Sequence, residues 1–409
     1  MSIKYFLAFF LFNCSCAFFV HAQEGTININ TTYKKQIDLI DIGNTLINNK
    51  VVRKIDTAKP EPGSLHSAIL PGVGYSLQTG FAAVLQFLGG FYTSKDVNAN
   101  QSSIECSFNY TQLHQLLIPL QINLWTDKNK YNIQSDWRYL VFPQNTYGLG
   151  GYSSVNNAYI LNFSNIRLYT TSYKEIKAEM YFGIGYNFDY IWNIKEINPP
   201  TNSTDFIKYN KNYNEQSNFA VASAPTLSFL YDTRRNSINP PGGDFINLIY
   251  RPNSTFLGSS ENWQSLIVDV RKYIALPLTS KNILAFWSYN WLTLSGAPPY
   301  ILLPNIGGDP YANTGRGFTE GRFRSKNMLY YENEYRFGIL KNGMLGGVVF
   351  ANIESFSEEN NNQFARIYAG YGAGLRIKFN KFSNTNVAID YGFGSDGSKG
   401  VFINLGEIF

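Results

Sequence analysis

The chain has 409 residues and a formal charge of +5; 15% of its residues are charged and 16% aromatic, 34 are glycine, and the mean hydropathy is −0.19. So few charges beside so many aromatics exclude a disordered chain and a coiled coil, and +5 is too small a balance for a nucleic-acid binder. Near-neutral hydropathy excludes a bundle of transmembrane helices but suits a transmembrane β-barrel, where only every second strand residue must be apolar.

In chain order, Lys4 precedes an apolar run from Tyr5 to Val20, and Val20-His21-Ala22 offers a small-residue cleavage site. Residues 1–22 therefore read as a secretory signal peptide. A membrane anchor fits less well, because the run is short and broken by Asn13, Cys14 and Ser15. Cleavage would remove Cys14 and Cys16 and leave Cys106 alone, so neither an intrachain disulfide nor a cysteine metal site is expected. Past Ala22 no run of roughly 18 apolar residues occurs, which excludes a spanning helix. Residues 23–70 carry Lys34, Lys35, Lys50, Arg53, Lys54 and Lys59, then Pro60-Glu61-Pro62-Gly63. They read as a polar periplasmic leader with a short helix over Ile37–Val52.

From residue 71 to 409 the period is two, which predicts an antiparallel transmembrane β-barrel. The clearest strand places Ile367, Ala369, Tyr371, Ala373, Leu375, Ile377 and Phe379 on one face. Opposite them lie Arg366, Tyr368, Gly370, Gly372, Gly374, Arg376 and Lys378. One face suits lipid and the other a polar lumen. Sixteen strands are expected, near 72–79, 82–93, 102–110, 114–124, 131–142, 157–170, 175–190, 219–232, 244–252, 264–275, 282–293, 327–340, 344–355, 365–379, 385–393 and 400–409. With both termini periplasmic, every odd-to-even connection is an outer loop. The long stretches 143–156, 191–218, 294–326 and 356–364 all fall there, and the tight Lys341-Asn342-Gly343 turn falls on the inner side.

Three stretches resemble one superfamily. Tyr231-Asp232-Thr233-Arg234-Arg235-Asn236 leading to Pro240-Pro241-Gly242-Gly243 matches an Asp-x-Arg-x-Asn…Pro-x-x-Gly hairpin. Gly315-Arg316-Gly317-Phe318, between the eleventh and twelfth strands, matches an Arg-Gly-Phe/Tyr loop signature. Tyr331-Glu332-Asn333-Glu334-Tyr335-Arg336-Phe337 is similar to the strand that follows, and Phe409 is a terminal aromatic typical of outer-membrane barrels. Together they resemble the BamA/TamA-like barrels of the bacterial surface antigen family, which also contains two-partner secretion transporters. The hairpin residues that carry the likeness are Asp232, Arg234, Asn236, Pro241 and Gly243.

The resemblance implies a loop folded into the lumen, with Arg316, Gly317 and Phe318 as its docking motif. A guanidinium there needs carboxylate partners or bears a desolvation cost of several kcal/mol. The candidates are Glu332, Glu334 and Asp390. Where the family carries Phe-x-Asp-x-Gly, this chain reads Phe350-Ala351-Asn352-Ile353-Glu354, so Asn352 brings no charge and Glu354 is the candidate substitute. These charges gate the lumen or only stiffen it, and both readings stay open. The family's periplasmic domains of about 75 residues find no room in 23–70, which puts insertion itself in question.

The implied place is the bacterial outer membrane, amid its lipids and lipopolysaccharide. The implied work is outer-membrane protein biogenesis or polypeptide translocation. The partners would be unfolded outer-membrane or secreted polypeptides and a periplasmic delivery protein, with no nucleic acid. A seam between first and last strands, weakened by Gly406, would open sideways. The alternative is a passive pore or structural surface barrel. An enzyme is not expected: His66 and His114 lack metal-binding partners, and no nucleophile with an adjacent base, phosphate loop or Cys-x-x-Cys is legible, so neither metal nor cofactor is expected.

Overall fold

The computed structural model describes residues 36–48, 63–76, 78–95, 100–213, 218–277, 280–381 and 383–409. Residues 1–22, read as a signal peptide, and most of the stretch read as a leader, 23–35 and 49–62, lie outside the described residues. Among the described residues no helix is long and apolar enough to cross a membrane.

The strands are β1 (His66–Ser76), β2 (Gly80–Phe91), β3 (Ser102–Thr111), β4 (Leu116–Trp125), β5 (Tyr131–Val141), β6 (Gln144–Thr146), β7 (Tyr159–Lys177), β8 (Met180–Ile197), β9 (Phe219–Asp232), β10 (Gly243–Asn253), β11 (Trp263–Ala275), β12 (Ile283–Gly296), β13 (Asn327–Gly338), β14 (Leu345–Phe356), β15 (Tyr368–Asn380), β16 (Thr385–Gly394) and β17 (Lys399–Leu405). Among the described residues two α-helices accompany them, α1 (Leu39–Asn48) before β1 and α2 (Asp205–Asn212) between β8 and β9. Each long strand pairs antiparallel with its chain neighbours. The short β6 continues β5 past Pro143 along the same partner, β7. The sixteen expected strands are therefore all present, with β6 as an extension of the fifth.

Alternation sorts the side chains as the barrel reading requires. Val73, Phe81, Leu85, Ile184 and Leu375 point outward and are exposed, while Asp189, Glu332, Glu334 and Asp390 point inward and are buried. An apolar exterior around a charged interior is the reverse of a soluble sandwich.

Several boundaries differ from expectation. The first strand starts at His66, inside the stretch read as leader, because Pro71 is tolerated on an edge strand that needs no second ladder. The helix covers Leu39–Asn48. The sixth and seventh strands run on to a turn at 178–179, where Glu179 takes φ 66°, so the hairpin lies several residues later than the pattern suggests. The last strand stops at Leu405, since Gly406 at φ 107° turns the chain out of the sheet. Gly406 therefore does not weaken pairing within the final strand.

The long connections gather at one end and pack on each other. Thr204 caps α2 by accepting from the Ile207 N–H, and Phe206 and Tyr209 set their rings edge-on to Tyr300 of the β12–β13 loop. At the other end Lys381 ties α1 to the β15–β16 turn, its N–H donating to Asp38 and its Nζ to Asp41 at 2.7 Å. The strands β1 and β17 lie beside each other, but no ladder joins them among the described residues. The barrel is nearly closed, with one seam.

Candidate functional site

The β12–β13 loop, residues 297–326, folds into the barrel. Its tip is built by Asp309, whose carboxylate accepts from the N–H groups of Asn313 (3.0 Å) and Thr314 (2.8 Å) and from the Thr314 hydroxyl (2.8 Å). That closed tip delivers Arg316 to the lumen wall. Its guanidinium is 1% exposed and donates to Asp390 at 2.7 Å and to both Glu332 and Glu334. It also lies 3.7 Å over the Phe350 ring. The three acids named from sequence are thus brought together on this one cation.

The rest of the motif is steric. Gly317 has φ 109°, and a Cβ there would lie 2.7 Å from the Phe393 carbonyl oxygen of β16. On the facing strand a Cβ at Gly392 would meet the Gly317 nitrogen at 2.8 Å. Backbone packs on backbone, so only glycine fits at both positions. Phe318 is buried against Phe323, with ring centroids 5.8 Å apart.

Asn352 and Glu354 do not do what the resemblance implies for an acid at this place. Asn352 donates from Nδ2 to the Arg316 carbonyl at 3.0 Å, holding the loop by its main chain. Glu354 makes no ion pair with Arg316: both its carboxylate oxygens are buried without a hydrogen-bond partner. The carboxylates on Arg316 come instead from β13, through Glu332 and Glu334, and from β16, through Asp390.

The charge network runs further than the sequence suggested. Arg376 pairs with Asp390 at 2.5 Å and with Glu407 at 2.7 Å, while Arg336 pairs with Glu334 at 2.6 Å and Glu407 at 3.7 Å. Three guanidiniums thus face four carboxylates in a space nearly closed to solvent. Removing any one strands a buried charge. Alternation alone placed Arg376 on the inward face. Glu407 was hidden because 400–409 read as one strand. A second network on the opposite wall joins Asp189 to Arg251 (2.9 Å), Arg167 (3.4 Å) and the Tyr169 hydroxyl (2.7 Å).

The hairpin motif closes the inner mouth. Asp232 accepts twice from Arg234 at 2.9 Å, and Asn236 caps its own turn by accepting from the N–H groups of Ile238 and Asn239. The Asn236 Nδ2 and Asn239 Nδ2 donate to carbonyls of the β15–β16 turn, Ser383 and Asn384. Gly243 takes φ 108° where the hairpin re-enters the sheet, and a Cβ there would lie 3.0 Å from Thr233 O; Pro241 is exposed. Phe409 lies inside the lumen, not on the lipid face: it is 3% exposed and stacked on Trp287.

No family model and no curated protein matches the sequence. Among solved structures, BamA from Haemophilus ducreyi lacking POTRA domains 1–3 matches at a TM-score of 0.58 and 13% identity, over 83% of this chain and 70% of that one. CdiB from Acinetobacter baumannii matches at 0.52 and 14% identity, over 84% of this chain and 60% of that one. CdiB from Escherichia coli gives 0.54 and 9%, with 85% and 63% covered. The chain thus spans under two thirds of the two CdiB chains. Strand order, seam and inward loop come together in one conclusion: this chain has the fold of the BamA/TamA-like barrels.

Proposed function

We infer that this barrel sits in the bacterial outer membrane and takes part in outer-membrane protein biogenesis or polypeptide translocation. The observation that carries the reading is the seam between β1 and β17, unladdered, beside a lumen in which Arg316 locks a loop on three buried acids. A sheet that closes without a last ladder can part there at little cost in hydrogen bonds, and the locked loop keeps the pore shut meanwhile. The partners that fit are unfolded outer-membrane or secreted polypeptides and a periplasmic protein that delivers them, with lipid and lipopolysaccharide around the belt.

Depletion in cells followed by outer-membrane proteomics tests this. Loss of many unrelated barrels means assembly, and loss of one surface protein means dedicated export. An unchanged outer-membrane proteome overturns the reading. A second reading, a passive pore, is favoured by the inward amides of β2–β5, which solvent reaches. A large stable conductance in planar bilayers would select it over rare flickering.

A further inference from the structure

Beyond Gly406 the chain leaves the wall at β17 and crosses the lumen to β11–β13. Each residue of this segment meets a different chemistry. Glu407 accepts from Arg376 (2.7 Å) and from the Asn386 Nδ2 (2.5 Å). The Ile408 carbonyl accepts from the Asn313 Nδ2 of the inward loop at 2.7 Å. Phe409 stacks on Trp287 with centroids 5.2 Å apart and 29° between planes, leans on Tyr273, and lies under the Arg336 guanidinium, whose Nη2 donates to the Phe409 main-chain oxygen at 2.8 Å. Ile408 and Phe409 are 4% and 3% exposed.

These contacts describe a seat for a short peptide. Cations take the acid, a loop amide takes the backbone, and an aromatic wall with a guanidinium takes the ring. Two polar groups of the seat remain unused: the Arg336 Nη1 and the Tyr273 hydroxyl are buried without hydrogen-bond partners. The resident segment fills the seat without satisfying it, as a replaceable ligand would.

We propose that the lumen wall formed by Tyr273, Trp287, Arg336 and Arg376 is a binding site for an extended peptide of acid–x–aromatic sequence, occupied at rest by residues 407–409. An incoming polypeptide with that pattern displaces the segment, which frees β17 at the seam and the loop tip at Asn313. The site deepens the functional reading above and rests on it for the origin of the ligand.

The probe is a fluorescein-labelled decapeptide reproducing residues 400–409, with a control in which its Glu and Phe are alanine. Binding is read by anisotropy on the full chain in micelles. A tethered segment competes at an effective concentration on the order of millimolar, so the wild type binds weakly and the Glu407→Ala/Phe409→Ala variant at least about tenfold tighter. Adding Trp287→Ala to that variant weakens binding about thirtyfold, the usual size for an aromatic anchor. Heat-modifiable migration in gels confirms that each variant is a folded barrel. Should a variant fail that check, Ile408→Cys on a Cys106→Ser background serves in its place, its thiol becoming reactive when excess peptide is added. A folded tail variant that binds no tighter than wild type overturns the site. So does equal binding of the control peptide, or an Ile408→Cys thiol that the peptide leaves unreactive. Because no client or cell is involved, this outcome is independent of the proteomic test: loss of the client reading leaves the seat standing, and loss of the seat leaves the client reading standing.

Discussion

Along β2–β5 the inward side chains include Gln86, Ser107, Asn109, Gln121, Asn123 and Gln134, all within reach of solvent. Along β13–β16 they include Glu332, Glu334, Arg336, Arg376 and Asp390, none of these five more than 6% exposed. The two sides of one lumen differ because one is wet and the other is filled by the loop and by residues 406–409. Where water remains, neutral amides satisfy themselves at little cost. Where protein replaces water, Glu332, Glu334, Asp390 and Glu407 each lie beside a guanidinium, and Arg316 arrives on the loop to supply one. The filled side is therefore one cooperative unit, while the wet side holds short local contacts: Asn109 to Ser107, Gln134 to Asn132, Asn132 to Asn123, and the Asp136–Arg138 pair.

That contrast can be broken most forcefully at Arg316. Arg316→Ala leaves three buried carboxylates short of a cation and is expected to cost about 3–5 kcal/mol. The check is the urea midpoint of heat-modifiable migration, together with a rise in bilayer conductance as the loop undocks. Next comes Gly317→Val, which puts a branched side chain at φ 109° against the Phe393 carbonyl and is expected to cost about 1–3 kcal/mol by the same midpoint. If either variant matches the wild type, the loop is not held as described.

A pH series sharpens the comparison further. Enclosure in the loop raises the Glu320 carboxyl from 4.5 to about 7, against the lowering effect of its hydrogen bond from Gln144. The folded state therefore favours the protonated form. This contribution is fully present below about pH 4.5 and is lost as pH rises through 7. Glu320→Gln is expected to flatten that slope in the unfolding midpoint between pH 5 and 8. The smallest effects belong on the wet side: Gln121→Ala and Asn123→Ala are each expected to stay within about 0.5 kcal/mol of wild type. A larger loss would mean that side is packed too.

Much of this was legible in the residues. Period-two alternation located every barrel strand, and parity put Glu332, Glu334 and Arg336 on one inward face. Arg316 with Asp390 followed from the motif, because a buried guanidinium must find acids. What stayed hidden was long-range or conformational. Nothing local tells that Asn352 serves the loop backbone, that Glu354 is left alone, or that Glu407 reaches Arg376. The final ten residues alternate well enough to pass for a strand, and a single glycine overrides the pattern. The turn at 178–179 was misplaced for a related reason, since the apolar–polar rhythm runs through the true hairpin without interruption.

The unequal wall has a consequence for the surrounding lipid. At about 3.3 Å per residue, the 19 residues of β7 extend roughly 60 Å and the 7 of β17 only about 23 Å. Tilted by about 40°, β17 covers less height than the roughly 25 Å apolar band such barrels present. Beside it the bilayer must pinch or tilt, at fractions of a kcal/mol per Å. Short-chain phospholipids should therefore favour the folded barrel in reconstitution, and insertion yields across acyl-chain lengths would measure how much.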